Sequence, residues 1–125
     1  IPLGSTVPAV LPSSVYELQA DGKLILVTTN IPRPNGLALS PDERTLYVAN
    51  TSGEWIFAYA LDSKGAVTTR RDFSKLATPP AQGGAAPASG ADGIAVDEKG
   101  RIYVATGLGA GRAVTMMFLP PFLAS

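Results

Sequence analysis

One phrase, written twice, constrains this chain more than any other feature. Asn35-Gly-Leu-Ala-Leu-Ser-Pro-Asp-Glu-Arg-Thr-Leu-Tyr-Val-Ala49 returns, one residue shorter in its turn, as Asp92-Gly-Ile-Ala-Val-Asp-Glu-Lys-Gly-Arg-Ile-Tyr-Val-Ala105. Each copy reads apolar strand, polar turn, apolar strand. A recurrence at about 57 residues is the spacing of an architecture that stacks one supersecondary unit. The lead position carries an amide in one copy and a carboxylate in the other, so equivalent places in two units present oxygen donors.

The strands around the repeat follow from local chemistry. Val15–Leu18 and residues 23–28 form a predicted hairpin, because Asp21-Gly22 between them suits a tight turn that needs positive φ. Residues 36–40 and 45–50 are short apolar runs joined by Pro41-Asp-Glu-Arg44, and they predict an antiparallel pair. Residues 54–61 alternate Trp55, Phe57 and Tyr59 with smaller side chains, and residues 67–73 follow after Asp62-Ser-Lys-Gly65. Together these runs predict a four-stranded antiparallel sheet. Residues 76–91, rich in Pro, Ala and Gly, read as a long surface connection. The second copy supplies strands at 93–96 and 101–106, and a third strand of that unit is expected to start near Ala113. The organisation expected is an irregular lead-in over 1–14, a repeat region over 15–107 and a divergent tail over 108–125.

The fold class expected is all-β. Thirteen glycines and eleven prolines accompany these short strands, as in turn-dense β proteins. Four-stranded sheets repeated about an axis are propeller blades, and at least four blades close a ring. The present chain supplies about two blades, so it is expected to be a portion of a longer protein. Its missing blades, or self-association, are expected at exposed strand edges.

Composition also excludes functions. Charged residues make up 16 % of the chain, and ten basic residues balance ten acidic ones, so no basic field attracts nucleic acid. No apolar run approaches the roughly 18 residues of a membrane span. With no histidine, a Ser-His-Asp triad and a His-ligated zinc are impossible, and with no cysteine so are thiolate sites. Either a cytoplasmic or an exported location is compatible with that composition.

The run Arg33-Pro-Asn-Gly-Leu-Ala-Leu-Ser-Pro-Asp42, followed one unit later by Asp92-Gly-Ile-Ala-Val-Asp97 and Gly100-Arg-Ile-Tyr-Val-Ala-Thr-Gly107, resembles the gluconolactonase, regucalcin (senescence marker protein) and luciferin-regenerating family. The likeness covers roughly residues 15–107 and is nearest to the bacterial sugar-lactone hydrolases. It implies a six-bladed propeller that holds one divalent metal at the mouth of its channel and hydrolyses small-molecule lactones. The metal ligands it implies here are Asn35 and Asp92, with Asp92 also the general base. The family's early Glu and its other Asn have no counterpart in this chain.

The residue types agree with that implication. An amide oxygen and a carboxylate are hard donors, suited first to calcium and also to magnesium or manganese, and a carboxylate-containing site can hold zinc. The bland alternative is that Asn-Gly and Asp-Gly are ordinary turn dipeptides, which leaves a non-catalytic or calcium-binding β-repeat module. Asp42, Glu43, Asp97 and Glu98 read as solvated turn carboxylates, Asp62-Ser-Lys-Gly65 as a plain hairpin turn, and Trp55, Phe57 and Tyr59 as filling between blades. Arg33, next but one to Asn35, can face an anionic group or water. Gly107-Leu-Gly-Ala-Gly lacks the Lys-Ser/Thr of a phosphate loop and carries no weight.

Overall fold

Two neighbouring strands, Thr45–Asn50 and Trp55–Leu61, are buried on both faces, and the rest of the fold is arranged around them. The computed structural model describes residues 13–78, 83–107 and 114–119, the last six by their backbone alone. Among the described residues nine strands and no helix occur: β1 (Val15–Leu18), β2 (Leu24–Thr28), β3 (Pro34–Leu39), β4 (Thr45–Asn50), β5 (Trp55–Leu61), β6 (Val67–Lys75), β7 (Ala91–Val96), β8 (Ile102–Gly107) and β9 (Val114–Leu119). They form a two-stranded sheet β1-β2, a four-stranded sheet β3-β4-β5-β6 and a three-stranded sheet β7-β8-β9. Every pairing joins consecutive strands and is antiparallel. The lead-in over 1–12, part of the long connection (79–82), the glycine run from 108 to 113 and the end of the tail (120–125) lie outside the described residues.

Burial on both faces explains why β4 and β5 read as continuous apolar runs. Side chains alternate across a strand and directly opposed residues share a face. In β4 and β5, Leu46 pairs Tyr59 and Val48 pairs Phe57, and these four join Val15 and Ile31 in one core against the first sheet. The other face pairs Tyr47 with Ala58 and Ala49 with Ile56, and these join Leu76, Ala91, Ile102 and Val104 in a second core against the third sheet. The aromatic run of β5 thus fills an inter-sheet layer as its alternation predicts: Phe57 and Tyr59 are buried, and Trp55 packs beside them. Full burial of an Ile56-sized side chain contributes about 1.5–3 kcal/mol.

One turn design closes three of the hairpins. In Gln19–Gly22, Asp62–Gly65 and Asp97–Gly100 the fourth residue's N–H donates to the first residue's carbonyl, at 2.9, 3.0 and 2.9 Å. That fourth residue is glycine with φ of +85°, +81° and +78°, a left-handed conformation that other residues adopt at a cost. In the first phrase of the repeat Glu43 takes the place, with φ of 59°, and Arg44 supplies the one extra residue before β4.

Asp97 departs from the solvated role expected of it. Its Oδ1 accepts the backbone N–H groups of Lys99 (3.0 Å) and Arg101 (2.9 Å), and its Oδ2 accepts Arg101 Nε at 2.6 Å and the Tyr103 hydroxyl at 3.3 Å. Partial burial pushes the carboxyl's pKa up, yet the hydrogen bonds from Arg101 and the Lys99 amide outweigh it, and the net shift is downward. A lowered carboxyl contributes stability that is complete above the unfolded pKa near 3.9 and is lost as pH falls through the folded value. Asp97→Asn is therefore expected to lower the thermal midpoint by several degrees at pH 7. The deficit should shrink in melts at pH 2.5, and an unchanged deficit at both pH values would refute the assignment.

On the face of β3 that looks toward the first sheet, Leu37 and Leu39 are 52 % and 43 % exposed. They line a groove of about 430 Å³ with Val15, Val27, Leu46 and Leu61. The opposite face of β3 carries Gly36 and Ala38 and lies against β7.

Candidate metal centre

Both candidate donors sit in β-bulges. Pro34 pairs Asn50 and Leu37 pairs Val48, so Asn35 and Gly36 together oppose the single residue Ala49. Ala91 pairs Thr106 and Ile94 pairs Val104, so Asp92 and Gly93 together oppose Ala105. A bulge breaks the alternation of the ladder and re-aims the side chain it carries. Asn35 and Asp92 are both exposed, at the same end of their strands, in equivalent irregularities of equivalent units.

The two bulges are held against each other by backbone. A Cβ placed on Gly36 would collide with the Asp92 carbonyl oxygen and lie 2.8 Å from Ile94 N and 3.0 Å from Gly93 C. Only glycine permits that approach of β3 to β7. Thr51, just past the end of β4, adds a polar tie. Its hydroxyl donates to the Ala91 carbonyl at 2.7 Å and accepts Asn35 Nδ2 at 3.1 Å. Its backbone N–H donates to Arg33 O at 3.0 Å, and its carbonyl accepts Gly90 N–H at 3.2 Å. Asn50, buried at the end of β4, accepts the Arg33 N–H on its Oδ1 at 3.1 Å, which anchors the segment that leads into the first bulge. Arg33 itself is exposed, and these bonds use its backbone.

Among the described residues, no hydrogen bond is made to Asn35 Oδ1 or to the Asp92 carboxylate. The donor set fits a hard cation: one amide oxygen and one carboxylate, both solvent-facing, brought onto touching strands. No group of three or more His, Cys, Asp or Glu side chains occurs among the described residues. The repeat singles out Asn35 and Asp92 in the sequence as candidates. Thr51 is not singled out, since it stands 40 positions from Ala91 and the second copy has Gly107 where the first has Thr51.

Residues 4–116 match the family described as SMP-30/Gluconolactonase/LRE-like region. The chain belongs to this family. A gluconolactonase of Zymomonas mobilis is 38 % identical over 96 residues, which is 73 % of this chain and 26 % of that protein. Among solved structures, a gluconolactonase of Xanthomonas campestris superposes with a TM-score of 0.60 at 34 % identity, covering 82 % of this chain and 30 % of its own. A protein of Agrobacterium tumefaciens described as calcium-binding regucalcin superposes with a TM-score of 0.57 at 28 % identity, covering 74 % and 29 %. The chain thus spans about a quarter to a third of the length of these relatives. Its stacked antiparallel sheets are part of the family's β-propeller.

Proposed function

We propose that this chain forms part of a cation-dependent hydrolase of small lactones, with Asn35 and Asp92 contributing two of the cation's ligands. What supports the reading is the backbone contact between the Asn35-Gly36 bulge and the Asp92-Gly93 bulge, two equivalent irregularities that carry an amide and a carboxylate in two units of the repeat. Calcium is the first choice, with magnesium, manganese or zinc as other candidates. Two protein oxygens leave most of calcium's six to eight positions to water and other oxygen ligands. A divalent cation bound there supplies Lewis-acid polarisation of a carbonyl oxygen and stabilises charge developing on it. Asp92, exposed and not committed to hydrogen bonds among the described residues, can accept the proton of an attacking water. Hydrolysis of a sugar lactone, followed as acid release, is expected to stop with a chelator and return with added calcium. Turnover indifferent to chelator would defeat the proposal.

The second reading is a non-catalytic module. The observation in its favour is the absence of a cluster of three acidic or imidazole ligands among the described residues. It predicts that calcium either binds without lactone hydrolysis or does not bind.

The leucine-lined groove beside β3 supports self-association of the chain on its own. Size exclusion over rising concentration is expected to show growing species, and Leu37→Gln combined with Leu39→Gln should return the profile toward monomer. A concentration-independent monomer would contradict this.

A further inference from the structure

We infer that Thr51 is a positioning residue whose hydroxyl sets the orientation of the Asn35 amide and locks it to the strand that bears Asp92. The inference rests on the cation reading above and deepens it. All four hydrogen-bonding functions of Thr51 are engaged, and each bond reaches a segment that flanks a candidate ligand. The N–H goes to Arg33, the carbonyl receives Gly90, the hydroxyl proton goes to Ala91 and the hydroxyl oxygen receives Asn35 Nδ2. Thr51 therefore has no freedom to swing its hydroxyl elsewhere without abandoning the Ala91 carbonyl.

The consequence for Asn35 is chemical as well as geometric. An Asn amide has a donor end and an acceptor end, and a half-turn about its last bond exchanges them. The lone pair that the Thr51 hydroxyl keeps for Asn35 can accept only from nitrogen, because its proton is already given to Ala91. Nδ2 is held on the Thr51 side, so Oδ1 is presented on the other. A hard cation needs the oxygen, and an amide turned the wrong way offers it an N–H₂ instead. Since Ala91 immediately precedes Asp92, the same hydroxyl ties the orientation of one ligand to the backbone position of the other. Groups that orient a ligand in this way are worth about 10–100-fold in metal affinity.

The test uses the full chain, calcium chloride as the probe, and calorimetric titration alongside NMR of the Asn35 side-chain amide. Thr51→Val, which keeps the shape and loses the hydroxyl, is expected to weaken calcium binding at least tenfold and to shift the Asn35 amide signals. Thr51→Ser should bind within about threefold of the parent. A double-mutant cycle with Asn35→Asp separates orientation from general damage, because a carboxylate has no nitrogen end to misplace. In that background Thr51→Val is expected to cost less than threefold. An equal loss in both backgrounds, or Thr51→Val binding calcium as tightly as the parent, would overturn the inference. If the parent binds no calcium while Thr51→Val still releases the Asn35 amide, the cation reading fails and the orienting bond stands. If the amide signals do not respond to Thr51→Val, the orienting bond itself is refuted whether or not calcium binds.

Discussion

Gly36→Ala is expected to destabilise the protein by about 1–3 kcal/mol or more, out of proportion to the addition of one methyl group. The atoms that the new Cβ would meet are backbone: the Asp92 carbonyl oxygen, Ile94 N at 2.8 Å and Gly93 C at 3.0 Å. A side chain can rotate away from an intruder, but a strand must move as a whole. β3 and β7 would have to separate, and the core formed by Ala49, Ile56, Ala91, Ile102 and Val104 beneath them would loosen. Gly93→Ala is the control, since its Cβ would meet nothing within 4 Å. That variant should fall within about 0.5 kcal/mol of the parent, like other surface changes. Chemical denaturation of the two variants decides the matter, and equal stabilities would show that the close approach of β3 to β7 is not a constraint.

Asp92→Asn is expected to separate activity from stability. The carboxylate is exposed and makes no hydrogen bond among the described residues, so the fold should lose no more than about 0.5 kcal/mol. Under the lactonase reading the change removes a charged ligand and the proton acceptor together, and lactone turnover should fall by about 10²–10⁴-fold. Acid release measured beside a thermal melt tests both halves. A variant that hydrolyses as fast as the parent would remove Asp92 from the chemistry. One that loses activity only in step with its melting temperature would reduce Asp92 to a structural residue.

Much of the fold was legible before any coordinate. The repeat, the apolar runs and the Gly-bearing turns located the strands of all three sheets to within about two residues, because strand alternation and turn chemistry are local properties. The alternation of Trp55, Phe57 and Tyr59 indicated an inter-sheet layer for the same reason. The bulges were harder to read. Asn35-Gly36 and Asp92-Gly93 signal a special backbone, but only the register against Ala49 and Ala105 shows that two residues oppose one. Asp97 looked like any turn carboxylate until Arg101 and Tyr103, four and six positions on, were seen to converge on it. Thr51 lay beyond reach, since its bonds to Gly90 and Ala91 are set by the packing of one sheet on the next rather than by its neighbours in the chain.

The purely sequential strand order has an evolutionary reading. When each strand pairs only with its neighbours in sequence and each sheet is self-contained, whole sheets can be duplicated, lost or exchanged without re-threading those that remain, and a lineage can change length in modular steps. The junction between β3 and β7 escapes that freedom, since any replacement unit must arrive with its own bare backbone at the point of contact.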